Sequence, residues 1–120
     1  MAKHNELGRK GEEAAVNCLK RKGHRVLERN WSFSGYEIDI ISEYEEFIVF
    51  VEVKTRSSVE WGNPENAVTE QRMRRMIRDA SHYLKINHID KPARFDIVTV
   101  IGKEQNFELE HIEDAFLPFL

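Results

Sequence analysis

The residues best suited to chemistry are Glu37 and Asp39 in one apolar segment and Glu52 and Lys54 in the next. Both segments are short and rich in Ile, Val and Phe, which predicts β-strands. Side chains alternate along a strand, so Glu37 shares a face with Asp39, and Glu52 shares one with Lys54. Burying such charges among apolar strands is costly unless a ligand compensates them. A divalent cation would offset the carboxylates, and a phosphate would offset the lysine.

Hydrolysis of a phosphodiester needs residues of these types. The attacking water must lose a proton, the phosphate gathers negative charge and the leaving oxygen must be stabilised, and Mg²⁺ can serve all three needs. Mg²⁺ prefers oxygen ligands and keeps several waters, so Asp39, Glu52 and the backbone carbonyl of Val53 could form such a site. Lys54 could orient or deprotonate the water, or neutralise the transition state. Arg56 extends the same face towards a phosphate backbone.

A fourth acidic candidate comes from the first predicted helix, which runs from about Asn5 to Lys22. Small and apolar residues recur there at helical spacing and form one stripe. Glu12 lies at the edge of this stripe and could reach over the rim of a sheet, whereas Glu13 projects into solvent. We therefore expect Glu12 at the site. Gly23 stands in the position that glycine favours after a helix ends.

The remaining segments predict an α/β domain that spans residues 1–120. Arg25 to Phe33 and the two acidic segments form three consecutive strands, which suggest a meander. Thr69 is the expected N-cap of a long helix that ends near Asn87. A helix between strands suggests a crossover to a parallel neighbour, and Phe95 to Ile101 and Phe107 to Ile112 supply the last strands. The predicted order is α-β-β-β-α-β-β, a central mixed sheet of about five strands flanked by helices.

The acidic motifs also resemble a known group of enzymes. Asp39, twelve intervening residues and then Glu52-Val53-Lys54-Thr55-Arg56 resemble the PD-(D/E)xK nuclease superfamily. Within it, the chain is most similar to the YraN-like family of predicted endonucleases, which are related to archaeal Holliday junction resolvases. The matching segments extend from Gly8 to about Val100: Gly8-x-x-Gly11-Glu12-x-x-Ala15, Glu37-Ile38-Asp39-Ile40-Ile41, Val49 to Arg56, Gly62-Asn63-Pro64 and Arg94-Phe95-Asp96.

The resemblance implies a restriction-endonuclease-like fold and specific roles for four side chains. Glu12, Asp39 and Glu52 would be ligands of Mg²⁺ or Mn²⁺, and Lys54 would be the catalytic lysine. The chain departs from the family pattern in two places. Tyr36 stands where a glycine usually precedes the Glu-Ile-Asp run, which could alter how substrate approaches the metal. Arg72 stands where lysine is more frequent, which preserves the charge.

Other residues allow more than one interpretation. The second helix carries four arginines within seven residues, Arg72, Arg74, Arg75 and Arg78. They either follow a phosphate backbone or form only the solvated side of the helix, and we take Arg56, Arg72 and Arg75 as nucleic-acid contacts. Tyr36 is the best candidate to stack on an unpaired base. Glu37 is either a support residue or simply exposed. Asp96 is expected to be structural, and the five histidines are expected at the surface.

Bulk composition fits one domain of 120 residues, with a net charge of −3 that does not itself indicate a nucleic-acid partner. One cysteine, Cys18, and the lack of a long apolar run predict a cytoplasmic protein with no membrane partner. The acidic motifs and the resemblance together predict a metal-dependent nuclease acting on DNA, and the relation to junction resolvases implies branched DNA as a candidate substrate. The alternatives are a catalytically silent nucleic-acid-binding or adaptor module, or an ion-pair network with no ligand. A homodimer or a protein partner is expected for substrate choice.

Overall fold

A computed structural model describes residues 3–57, 69–103 and 106–116. The elements are α1 (Lys3–Arg21), β1 (Arg25–Phe33), β2 (Tyr36–Tyr44), β3 (Phe47–Arg56), α2 (Glu70–Ile86), β4 (Ala93–Ile101) and β5 (Glu108–Ile112). This is the predicted order, and the α/β class with a five-stranded mixed sheet is confirmed. The Gly62-Asn63-Pro64 segment of the resemblance lies outside the described residues.

The sheet has the strand order β1-β2-β3-β4-β5. The first three strands form the expected antiparallel meander, and β5 returns antiparallel to β4. β3 and β4 run parallel along their length, from Ile48 opposite Ala93 to Arg56 opposite Ile101. α2 makes the crossover between them, because parallel neighbours cannot be joined by a tight turn.

Alternating residues of β3 divide the core into two layers. Ile48 and Phe50 belong to a buried cluster with α2, whereas Val49 and Val51 belong to a second cluster with α1. The two helices therefore cover opposite faces of the sheet, as the period of two along a strand requires. Tyr83 of α2 is 3% exposed and completes the first cluster.

Local sequence signals account for the ends of both helices. The Thr69 hydroxyl accepts a hydrogen bond from the backbone N–H of Arg72 at 3.2 Å, which makes Thr69 the N-cap of α2. Asn87 is its C-cap. Gly23 follows α1 with a φ of +102°, a left-handed conformation that glycine adopts without strain. Thr69, Asn87 and Gly23 therefore lie at the helix ends that the sequence predicts.

Two histidines correct the expectation that all five lie at the surface. His24 is 5% exposed and stacks on Tyr44, and the side chain of His111 is 2% exposed. His111 contacts Asp96 through Nε2 at 2.6 Å. Asp96 is fully buried and also accepts hydrogen bonds from the Arg94 guanidinium, which supports its structural interpretation. A buried carboxylate needs such partners, and they come from distant parts of the chain.

A membrane-crossing helix is not found: within the described part of the chain, no helix combines sufficient length with sufficient apolarity.

Candidate functional site

The candidate site lies where β2 separates from β3. The two strands pair from Tyr44 opposite Phe47 as far as Ile40 opposite Val51. Asp39 and its counterpart Glu52 are therefore the first residues beyond the paired region. There the backbone N–H of Val53 donates to Asp39 Oδ2 at 2.8 Å, so a side chain takes the place of a strand partner. β3 stays paired with β4, and the split opens a cavity beside β2.

This cavity has a volume of about 540 Å³ and brings together groups that are far apart in the sequence. Its acidic lining residues are Glu12 from α1 and Glu37 and Asp39 from β2. Its basic lining residues include Lys54 and Arg56 at the end of β3. Val53 also lines it, so the structure gathers most of the predicted site residues around one space. Glu13 is exposed, as predicted, and lies outside the cavity, where it pairs with Arg29.

Asp39 carries the strongest electrostatic signal of the site. Burial, together with repulsion from Glu52, Glu12 and Glu37, raises the pKa of Asp39 to about 7, against the lowering effect of the Val53 N–H. Like charges therefore converge on Asp39 without a full compensating charge. A cation placed beside this carboxylate would remove the repulsion.

Glu52 differs because its charge is already compensated. It is 2% exposed, and its Oε2 lies 2.7 Å from Arg72 Nη2 and 3.4 Å from Lys54 Nζ. The Tyr36 hydroxyl donates to its other oxygen, Oε1, at 3.4 Å. Glu52 and Lys54 do lie together, as the strand alternation predicts. Glu52 is buried behind the cavity, however, and is not one of its lining residues.

The environments of Tyr36 and Arg72 differ from those expected of nucleic-acid contacts. Tyr36 is only 6% exposed, and the Arg72 guanidinium carbon lies 5.2 Å from the centre of its ring. The ring therefore has no open face for a base, which corrects the expectation of an exposed stacking residue. Burial and the neighbouring Glu52 raise the pKa of Tyr36, so its hydroxyl stays a hydrogen-bond donor. Arg75 is exposed on α2, and Arg56 lines the cavity, as a phosphate contact would require.

The donor groups suit a hard divalent cation, although the ligand set is not preassembled. Carboxylate oxygens of Asp39 and Glu12 face one cavity, and Mg²⁺ and Mn²⁺ take such ligands. Among the described residues, no three side chains of Asp, Glu, His or Cys are already close enough to surround one ion. Glu52 would join the set by exchanging Arg72 for the cation. The chemistry of the donors and the uncompensated charge at Asp39 therefore fit a metal, with one rearrangement.

Comparison with known proteins identifies the family. Residues 11–100 match the model of "Uncharacterised protein family UPF0102". The chain belongs to this family. A UPF0102 protein of Phocaeicola vulgatus is 46% identical over 118 residues, which cover 98% of each chain. UPF0102 proteins of Bacteroides fragilis and Flavobacterium psychrophilum are 48% and 43% identical and cover 98% and 99% of this chain, and 98% and 100% of their own.

Three residues at the site were not predicted from the sequence. Arg9 and Asn30 line the cavity, and Arg29 contacts Glu12 from outside it. Arg9 precedes Glu12 by one helical turn, a spacing that places both on one face of α1. That signal was available in the sequence. The sequence contained no such signal for Asn30 and Arg29, because the positions of their side chains depend on an irregularity in β1.

Proposed function

We propose that this UPF0102 protein is a divalent-metal-dependent nuclease that hydrolyses phosphodiester bonds in DNA. The observation that carries the proposal is the convergence of Glu12 and Asp39 with Lys54 and Arg56 in one cavity. Acidic and basic groups around one cavity suit a metal and a phosphate together. The resemblance of the same residues to PD-(D/E)xK nucleases supports this reaction over other metal-dependent hydrolyses.

The roles follow from where each side chain lies. Asp39 and Glu12 face the cavity and would hold Mg²⁺ or Mn²⁺ together with Glu52. When bound, such an ion would neutralise the phosphate and acidify a water molecule. Lys54 lines the cavity with its ammonium 3.4 Å from Glu52, so it can hold a proton or a phosphate oxygen beside the acidic group. Arg56 would bind the adjoining phosphate.

One observation favours the alternative of a silent nucleic-acid-binding module. Arg72 and Lys54 already neutralise Glu52, and a site without metal chemistry would keep that arrangement permanently. The two functions differ in metal binding. The nuclease binds Mn²⁺ through Asp39 and Glu12, whereas the silent module retains the Glu52–Arg72 pair whatever the metal concentration.

The deciding experiment is cleavage of a panel of linear, single-stranded, flapped and four-way DNA substrates with Mn²⁺. We expect the purified protein to cut at least one of them and Lys54→Ala to lose the activity while keeping its fold. Lys85→Ala is the matched control, because Lys85 is an exposed lysine of α2 outside the cavity. Equal cleavage by Lys54→Ala and the control would refute the role of Lys54. No cleavage together with no Mn²⁺ binding would favour the silent module.

We also propose that the active form is a two-fold homodimer. Symmetric cuts in a branched substrate need two sites, and a twofold axis supplies them. The resemblance to junction resolvases supports this proposal. Light scattering of the purified protein, alone and with a four-way substrate, tests it. A monomer under both conditions would refute it.

A further inference from the structure

The alternation of side chains along β1 is interrupted at residues 29 and 30. Arg29 and Asn30 both hydrogen-bond to Glu12 of α1. In a regular strand, consecutive side chains point to opposite faces of the sheet. Trp31 then points to the α2 face, where its ring meets Tyr83 edge-on with centroids 5.1 Å apart. One of the two neighbours has therefore been turned towards α1.

The backbone of Asn30 accounts for this reversal. Its φ is +53°, a left-handed conformation in the middle of a strand. Asparagine tolerates this region better than most residues, but it is still strained there, and such strain concentrates at functional sites. β1 and β2 pair on either side of this point, at Arg29 opposite Ile40 and at Trp31 opposite Ile38. The pairing of β1 with β2 is thus interrupted at Asn30 and Asp39, and both residues line the cavity.

The redirected amide holds the carboxylate of Glu12. Asn30 Nδ2 donates to Glu12 Oε1 at 2.9 Å, and Arg29 Nη2 contacts the same oxygen at 3.4 Å. Arg29 also donates to Glu13 at 3.0 Å through Nη1, so it already ties β1 to α1. No donor in the described residues contacts Glu12 Oε2. The hydrogen bond from Asn30 therefore fixes one oxygen and leaves the other for a ligand.

We propose that Asn30 is a positioning residue for the metal site. Its left-handed backbone aims its amide at Glu12, and the amide fixes the carboxylate so that Oε2 is presented to a divalent cation in the cavity. The inference rests on the proposed function, because it takes Glu12 as a metal ligand. A partner of this kind acts through the ligand that it orients, and losing it weakens metal affinity without removing a ligand.

Asn30→Gly is the decisive variant, because glycine adopts the left-handed backbone without strain and removes only the amide. The matched control is Ser34→Gly, since Ser34 has a φ of +55° and is exposed in the β1–β2 turn. We expect Asn30→Gly to weaken Mn²⁺ binding about 10- to 100-fold in calorimetric titration. The control should bind as the unmodified protein does. Both variants should melt within a few degrees of it.

A double-mutant cycle with Glu12→Gln separates positioning from a structural role. If Asn30 acts through Glu12, Asn30→Gly should change Mn²⁺ affinity less than about twofold in the Glu12→Gln background. An unchanged affinity in Asn30→Gly alone, or an equal loss in both backgrounds, would overturn the positioning role while Mn²⁺ binding by the unmodified protein stands. If the unmodified protein binds no Mn²⁺ and cuts no substrate, the proposed function fails, and this inference fails with it.

Discussion

Two glycines of α1, three residues apart, should respond in opposite ways to alanine. A Cβ built on Gly8 meets no atom within 4 Å. A Cβ built on Gly11 would lie 2.2 Å from Thr55 Oγ1 and 2.7 Å from Thr55 Cγ2, well inside van der Waals contact. Gly11 thus allows α1 to approach β3 beside Glu12. The same substitution therefore tests whether this close approach exists.

The magnitudes follow from two effects that can be separated. Replacing a helical glycine by alanine stabilises by about 1 kcal/mol, and Gly8→Ala should show this gain alone. Overpacking in a closely packed contact costs about 1–3 kcal/mol, and only Gly11→Ala incurs it. We expect the free energy of unfolding to be about 1–3 kcal/mol lower for Gly11→Ala than for Gly8→Ala. The difference cancels the helix propensity common to both positions.

Urea denaturation followed by circular dichroism gives both free energies under one set of conditions. A Thr55→Ala variant then closes a double-mutant cycle, because it removes the two nearest atoms. Gly11→Ala should cost less in that background, with a coupling of about 0.5–3 kcal/mol. Equal stabilisation by Gly8→Ala and Gly11→Ala, within about 0.5 kcal/mol, would show that α1 does not rest on Thr55 and would refute the reasoning.

Three further predictions concern charged groups. Arg72→Ala should lower the free energy of unfolding, measured by urea denaturation, by about 1–3 kcal/mol. The Arg72 side chain is 40% exposed, but Glu52 is buried and would lose its shortest ion pair. Burial, with repulsion from a neighbouring histidine, lowers the pKa of His24 from 6.5 to about 4, so stability should be complete above pH 6.5 and fall as pH drops towards 4. That loss should reach about 1–2 kcal/mol at pH 5, persist in an exposed-histidine control, His88→Gln, and vanish in His24→Gln. The raised pKa of Asp39, about 7, means that its charge destabilises the folded protein at pH 8. Asp39→Asn should therefore be about 1–2 kcal/mol more stable than the unmodified protein in EDTA, and Mn²⁺ should not stabilise it further. An Asp39→Asn variant less stable than the unmodified protein would contradict this prediction.

The sequence predicts the fold well because its signals are local. Short segments rich in Ile, Val and Phe predict β2 and β3, and Thr69 and Gly23 mark helix ends through their own side chain and backbone. A helical connection as long as α2 then favours a parallel arrangement of the two strands that it joins. The position of Glu12 at the edge of a helical stripe was also readable, since it depends only on helix geometry.

The partners within the site were not predictable in the same way. The Arg72–Glu52 pair joins positions 20 residues apart, and its existence depends on how α2 crosses the sheet. Periodicity places Arg72 on a face of α2 but does not say which strand residue that face meets. Asn30 was missed for a different reason. Period-two alternation assumes a regular strand, whereas its left-handed backbone breaks that rule.

The separation of β2 from β3 connects the stability of the protein to its proposed chemistry. Where the strands pair, their buried apolar side chains, Ile40 and Ile41 of β2 and residues 48–51 of β3, belong to the core. Where the strands part, Asp39 and Glu52 are still largely shielded from solvent. Asp39 accepts a hydrogen bond from the Val53 N–H, and Glu52 accepts one from Arg72. These hydrogen bonds hold the acidic groups in place without the cation that we propose. If Glu52 is a metal ligand as we propose, metal binding would displace Arg72 from Glu52. The released guanidinium would then have free donors for a phosphate.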